Sequence, residues 1–468
     1  MISNLDSRII DINCVAAGMR IETLMANAGQ ALADVLKSKF GGKRLLFVCG
    51  NGNNGGDGFA AANRLVGEDV TVMLLCADSS IHSDAARKEF AALRCRILPF
   101  SARALDGYDV LVDCALGTGV SGKLKEPYAT YVEAARHFKG PVVSADIPSG
   151  FGTGTAIVPD VTVTFHDAKI GMDEKNSGEI IVKCIGVPDT VRLFTGPGDM
   201  LRYPVPLMDS HKGCNGTLMV IGGGPYIGAP ALSALAAMRV GIDVVRIAVP
   251  ASVCDNVASF SPVFIMDKLT GSVVGPGHVQ TLLDLSKMCN AVLIGPGLGL
   301  DDLTVSAVND FVRKCDVPLV IDADGLNALG RNFKNESNHP VILTPHTREF
   351  LRLGGTIGND AAEHVSIKAA ESKTIILLKG AIDIVSDGDK TKMNSTGNPG
   401  MTSAGTGDVL SGIVAGLLAK GMDAFDAAAL GAYISGKAGE YAFEEKSYGL
   451  IATDVIDKVP TVLVKGLR

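Results

Sequence analysis

Ser403-Ala404-Gly405-Thr406-Gly407-Asp408 runs directly into Val409-Leu410-Ser411-Gly412-Ile413-Val414-Ala415-Gly416-Leu417-Leu418-Ala419-Lys420-Gly421, and the chain is read outward from this stretch. Apolar residues at 409, 410, 413, 414, 417 and 418 repeat with helical spacing, and Lys420-Gly421 is a C-terminal stop. The small residues between them predict a helix buried against close neighbours. The glycine-rich segment then falls at the helix N-terminus, where unpaired N–H groups and the positive dipole end favour an anion. Gly405 and Gly407 let a ligand approach the backbone closely. A carboxylate at 408 would repel a phosphate held there. It fits if Asp408 takes the proton of a hydroxyl attacking a phosphoryl group on those amides; the plainer reading is an N-cap.

The rest of the C-terminal half repeats one pattern. Short apolar runs at 217–221, 291–294, 319–321, 341–343 and 375–378 read as buried parallel strands. Each ends in a polar or glycine-bearing loop, among them Gly295-Pro296-Gly297-Leu298-Gly299, Asp322-Ala323-Asp324, Thr344-Pro345-His346-Thr347-Arg348-Glu349 and Lys379-Gly380-Ala381-Ile382-Asp383. Parallel α/β sheets bind ligands at the carboxyl ends of their strands. His346 and Glu349 stand three apart after a strand, which suits contact with substrate or a magnesium-bound water, or a helix-capping arrangement. A helix is expected over 231–240.

The N-terminal half has the same grammar. Residues 1–40 read as one or two helices, and 45–49 as a buried strand. Gly50-Asn51-Gly52-Asn53-Asn54-Gly55-Gly56-Asp57-Gly58 follows as a turn, then a helix over 59–66. Strand, glycine-rich turn and helix is the layout of a nucleotide site in a Rossmann-type sheet, although this is not a Gly-x-Gly-x-x-Gly fingerprint. The extra amides and Asp57 suggest polar recognition or a cation; Asn and Gly also suit a plain loop. Further strands at 70–76, 110–114 and 142–145 lead to Asp113, to Gly117-Thr118-Gly119-Val120-Ser121-Gly122-Lys123, and to Asp146-Ile147-Pro148-Ser149-Gly150. Asp57, Asp113 and Asp146 are expected to converge at one sheet edge.

At 468 residues, with 47% hydrophobic and 20% charged residues, the chain is long enough for two or three buried domains. The Pro/Gly-rich stretch 195–206 is read as the linker, giving domains 1–205 and 206–468. A net charge of −7 argues against nucleic acid or an anionic membrane as partner. No apolar run is long enough to span a bilayer. Ten scattered cysteines without a C-x-x-C pair suit a reducing, cytoplasmic setting.

Asn53-Asn54-Gly55-Gly56-Asp57, Leu116-Gly117-Thr118-Gly119, Asp146-Ile147-Pro148-Ser149-Gly150 and Thr164-Phe165…Lys169-Ile170-Gly171 together resemble the NAD(P)H-hydrate epimerase family. The resemblance implies a Rossmann-like α/β/α domain with substrate bound at Asn53 to Asp57, Gly117 to Lys123 and Asp146. It implies Asp146 as acid/base and a potassium ion on Asn54, Asp113 and Ser149. The sequence departs at Ala26, where that family usually has Glu. His211-Lys212-Gly213, Gly228-Ala229-Pro230, the loops just quoted, Gly397-Asn398-Pro399-Gly400-Met401 and the 404–412 segment resemble, in order, the ADP/ATP-dependent NAD(P)H-hydrate dehydratase family, which is ribokinase-like. That resemblance implies hydrate contacts at Ala229, Gly297, Gly299, His346 and Asp408. It places the nucleotide on Lys379, Gly380, Ala381, Ile382, Asp383, Ala404, Gly405, Thr406 and Gly407, with magnesium on its phosphates. ADP, with ATP as the alternative donor, and the hydrates of NADH and NADPH are the implied ligands, and self-association is common in such families. The rival reading is a ribokinase-like small-molecule kinase fused to a non-catalytic nucleotide-binding scaffold.

Overall fold

The computed structural model describes residues 1–119 and 122–467. The chain divides into two compact units, Met1–Val191 and Arg192–Arg468. This is earlier than the break expected at 205/206. The reason is that 195–206 is not a free linker. Thr195 N–H donates to the Met393 carbonyl at 2.8 Å, Met200 and Tyr203 are buried in the core of the second unit, and the Tyr203 hydroxyl donates to the Val240 carbonyl at 2.8 Å.

In the first unit, β1 (Leu45–Cys49), β2 (Val70–Leu74), β3 (Arg96–Pro99), β4 (Val110–Cys114), β5 (Val142–Ala145), β6 (Val161–Phe165) and β7 (Glu179–Lys183) form one parallel sheet in the order β3-β2-β1-β4-β5-β6-β7. The reversal beside β1 is the switch point at which doubly wound sheets bind ligands. Every residue of β1 and β4 is buried, and alternate residues feed two cores. Leu45, Phe47 and Cys49 pack with the helices Ile21–Phe40 and Asn53–Arg64, and Leu46 and Val48 with the helix Tyr128–Arg136. A three-layer α/β/α sandwich results, as expected.

The helix predicted over 59–66 starts instead at Asn53 and ends at Arg64, so Asn53 to Gly58 of the supposed turn are its opening residues. Propensity misleads here because the helix lies unusually close to the sheet. A Cβ on Gly55 would stand 2.1 Å from the Gly50 carbonyl oxygen, one on Gly56 2.5 Å from Met25, and one on Gly58 2.8 Å from Cys114. The glycines serve close packing, and tertiary context overrides their poor helix propensity.

The second unit carries β8 (Thr217–Ile221), β9 (Val244–Pro250), β10 (Ile265–Leu269), β11 (Ala291–Ile294), β12 (Leu319–Ile321), β13 (Val341–Leu343), β14 (Ile375–Leu378), β15 (Asp383–Ser386) and β16 (Thr391–Asn394). Their order is β10-β9-β8-β11-β12-β13-β14-β15-β16, parallel except for the antiparallel β14–β15 and β15–β16 pairs. Leu218 and Val220 face the helices Gly228–Arg239, Thr406–Ala419 and Ala424–Lys446, and Met219 and Ile221 face Val279–Ser286 and Asp302–Lys314. The helix expected at 231–240 begins at Gly228. Among the described residues no helix is long and apolar enough to cross a membrane.

Candidate active sites

At the carboxyl edge of the first sheet lies a cavity of about 620 Å³ lined by Asn53, Asn54, Asp57, Gly117, Thr118, Gly119 and Asp146. These predicted residues are therefore brought together. Gly55 and Gly56 face inward instead, Gly122 and Lys123 are exposed and do not line it, and Val120 and Ser121 lie outside the described residues. Ala26 does not line it either, whereas its neighbours Leu24, Met25 and Ala28 do.

Asp146 follows β5 with φ +64°, a conformation unfavourable for a side-chain-bearing residue. Its Oδ1 accepts from the Phe165 N–H at 3.2 Å and from the Lys169 ammonium. Lys169 is completely buried; its Nζ also donates to Thr164 Oγ1 and the Phe165 carbonyl, both at 2.8 Å. Lys169 enters the sequence reading only inside a family-like motif and without a role, because no local pattern marks a lysine that is buried by tertiary contacts. Asp57 is half-buried, and burial, then the charges of Asp146 and Asp11, push its carboxyl well above the usual carboxylate range, with Lys169 opposing.

Asp113 does not reach this cavity. It is fully buried, accepting from Ser149 Oγ (2.6 Å), Ser149 N (2.8 Å), Ser144 Oγ (2.8 Å) and Tyr131 OH (3.1 Å). Three aspartates were expected to converge; two do, because the Asp113 side chain sits within β4 and turns into the sheet. Burial raises its pKa against those hydrogen bonds. Asn54 is connected to the same cluster: its Nδ2 donates to the Leu116 carbonyl at 3.0 Å, and the Leu116 N–H donates to Ser149 Oγ at 2.9 Å. Asn54 Oδ1 is buried and has no hydrogen-bond partner. A buried carboxylate with no basic partner among the described residues, linked to an orphaned amide oxygen, is a donor set suited to a monovalent cation.

In the second unit Asp408 is the third residue of the helix Thr406–Ala419, whose N-cap is Gly405 at φ +92° with no side-chain cap. Thr406 Oγ1 donates to the Met401 and Ser403 carbonyls at 2.7 and 3.0 Å. The capping reading of Asp408 therefore does not hold, and its carboxyl is available for chemistry. Burial, reinforced by Asp322 and Asp324 and opposed by Lys379, raises its pKa to about 7.

Lys379, at the end of β14, donates to Asp322 Oδ1 at 2.8 Å. A Cβ on Gly407 would come 3.6 Å from its Nζ, so the ammonium stands beside the helix N-terminus. Burial alone would lower its pKa, but Asp322, Glu349 and Asp408 together raise it. Asp324 follows Ala323 at φ +49° and accepts from the Gly299 N–H at 2.8 Å. Asp322 and Asp324 were seen in the sequence only as loop residues; their charge acts on Asp408 across strands. Ala229 is the second residue of Gly228–Arg239, a helix whose Ser233 hydroxyl donates to the Asp408 carbonyl at 3.0 Å. Gly297 has φ +70°, and a Cβ there would meet the Tyr226 carbonyl oxygen at 2.2 Å.

His346 is an N-cap: its Nδ1 accepts from the Arg348 and Glu349 N–H groups, and Glu349 returns a carboxylate to the His346 N–H at 2.8 Å. The capping alternative is what forms, and the outer ring nitrogen, Nε2, lies 3.6 Å from Glu349 Oε1. Asp383 holds the turn between β14 and β15, accepting from Gly380 N and Asn394 Nδ2 at 3.0 Å each, while Ala381, Ile382 and Ala404 are exposed.

Residues 218–461 match the family described as NAD(P)H-hydrate dehydratase, and 21–171 match the YjeF-related protein N-terminus. Among curated proteins, the bifunctional NAD(P)H-hydrate repair enzyme of Methanothermobacter thermautotrophicus is 38% identical, over 99% of this chain and 95% of its own. That of Archaeoglobus fulgidus is 37% identical, over 99% and 98%. The chain belongs to the bifunctional NAD(P)H-hydrate repair enzyme family. Among solved structures, an ADP/ATP-dependent NAD(P)H-hydrate dehydratase from Bacillus subtilis, co-crystallised with ATP and magnesium, is 30% identical with a TM-score of 0.53, over 58% of this chain and 98% of its own. In this repair-enzyme family member the two matched regions fall within the two compact units, one on each.

Proposed function

We infer that the chain repairs hydrated NADH and NADPH, the first unit interconverting the two hydrate epimers and the second dehydrating one of them at the expense of a nucleotide. The observation that carries the reading is Asp408, an uncapping carboxyl poised near neutrality beside Lys379 at a helix N-terminus. There Asp408 accepts the proton of the ring hydroxyl as that oxygen attacks the terminal phosphoryl group of ADP or ATP. The N–H groups at the start of the helix and the Lys379 ammonium offset the charge that develops, and loss of phosphate restores the dihydronicotinamide. Magnesium arrives on the nucleotide phosphates, with Asp322 and Asp324 the nearby carboxylates. The soluble cytoplasm, where these cofactors are used, is the proposed setting.

Mixed hydrate epimers supplied with ADP, ATP or neither test this, with dihydronicotinamide absorbance as the readout. Complete recovery that requires a nucleotide is expected, and the better nucleotide identifies the donor. No recovery with either nucleotide would refute the assignment. A stable phosphorylated product would point to the kinase reading, and Asp57 and Asp146 in one cavity argue against an inert scaffold.

Potassium is proposed at Asn54, Asp113 and Ser149. Bound there, the ion would offset the buried Asp113 charge and fill the vacant valence of Asn54 Oδ1. Exchanging potassium for lithium is expected to slow epimerisation and lower the first unit's melting temperature, with dehydration unaffected by way of this site. Asn54→Ala is expected to remove the cation dependence of that melting temperature. An identical melt in both salts would count against the site.

A further inference from the structure

The epimerase cavity holds two carboxylates in opposite circumstances. Asp146 is tied to Lys169 and the Phe165 N–H. Asp57, on the helix Asn53–Arg64, lines the same cavity, and among the described residues no group hydrogen-bonds to or ion-pairs with its carboxyl. The charged groups around Asp57 are Asp146 after β5, Asp11 on the helix Asn4–Ala16, and Lys169, with the Cys114 thiol beneath; Arg8 and His166 line the cavity too. Two of its three charged neighbours are carboxylates. Like charges at one site cannot all ionise cheaply, and the carboxyl with no compensating partner is the one that keeps its proton.

We propose that Asp57 is a second catalytic residue of the epimerase, the proton donor that works against Asp146 as proton acceptor. This rests on the epimerase reading of the first unit. Water added at the carbon beside the ring nitrogen makes the hydrate a hemiaminal, which epimerises by opening and reclosing. Asp146 takes the hydroxyl proton and the O–H electron pair becomes the second bond of an aldehyde. The C–N pair departs to the ring nitrogen, which takes the Asp57 proton. The aldehyde turns about its neighbouring single bond and the nitrogen adds to its other face. That nitrogen returns its proton to Asp57, and the new hydroxyl recovers one from Asp146. No oxidant, metal-bound species or added reagent is needed. Opening takes a proton from oxygen and gives one to nitrogen, and two carboxyl groups in opposite protonation states supply both without rearranging in between.

The test uses the full chain without nucleotide, following R-to-S conversion by chromatographic separation of the epimers. Asp57→Asn is expected to lower kcat by ~100-fold with little change in KM, and to abolish the loss of rate that wild type suffers as rising pH removes the Asp57 proton. Asp146→Asn is expected to lower kcat as well, by removing the proton acceptor. The melting transition of the first unit, Met1–Val191, followed on the same preparations, reports that the variants are folded. If Asp57→Asn misfolds, the wild-type profile decides alone: a rate that never falls as pH rises overturns the proposal. So does Asp57→Asn activity near wild type, or a loss confined to KM with the fall at rising pH kept, which would make Asp57 a binding residue. Wild type that fails to accelerate epimerisation would overturn the epimerase reading and this proposal together; loss in Asp146→Asn but not in Asp57→Asn would overturn this proposal only.

Discussion

Asp408→Asn is expected to reduce nucleotide-dependent dehydration by ~10³-fold while leaving the protein as stable as before or more so. The amide keeps the shape of the side chain but cannot take a proton, and general-base contributions of this kind are typically ~10²–10⁴-fold. Because Thr406 rather than Asp408 ties down the preceding turn, the helix N-terminus should survive. The pH dependence has a definite sign. Asp408 serves as base only when ionised, and its pKa is raised to about 7, so wild-type kcat should fall as pH drops through that value. Stability moves the other way. A carboxyl raised on folding binds its proton more tightly in the native state, so native stability declines as pH rises from the unfolded value toward about 7. The variant escapes this loss. Melting curves at pH 8 should place Asp408→Asn at or above wild type, and a clearly lower melting temperature would mean that the carboxylate has a structural role.

The second large effect is expected at Lys169, which is completely buried and whose ammonium reaches Asp146, Thr164 and the Phe165 carbonyl. Lys169→Met keeps the stem but leaves a carboxylate without its cation, and breaking a buried pair in this way costs about 3–5 kcal/mol. The first unit should melt earlier, with epimerisation lost and dehydration by the second unit retained. Lys169→Met with Asp146→Asn should recover much of the stability, because no unpaired charge remains, but none of the activity. If the single and double variants melt together, the pair is not the source of the loss.

Much of this was legible in the sequence, for a physical reason. Strands buried on both faces are predominantly apolar, so β1, β11 and β12 announce themselves outright and β4 and β8 by all but one residue, and the loops after them mark the ligand edge. What escaped was set by contacts distant in the chain. Asn53-Asn54-Gly55-Gly56-Asp57-Gly58 looks like a turn until Gly50, Met25 and Cys114 are seen pressing on it. His346 reads first as a ligand contact, with capping as the alternative, until Glu349 is seen closing the box. Asp113 and Asp146 end similar strands, yet one turns into a nest of hydroxyls and the other into the cavity. Lys169 and Asp322 owe their importance to partners 23 and 57 residues away.

The packing of 195–206 onto the second unit bears on how the halves can be separated. A fragment beginning at 206 would lack Met200 and Tyr203, opening a hole in its core and leaving the Val240 carbonyl without the Tyr203 hydroxyl. A fragment beginning at Arg192 keeps both. Any protease that nicks the intact chain in its native form should accordingly find 195–206 a poor substrate, despite a composition that advertises a hinge.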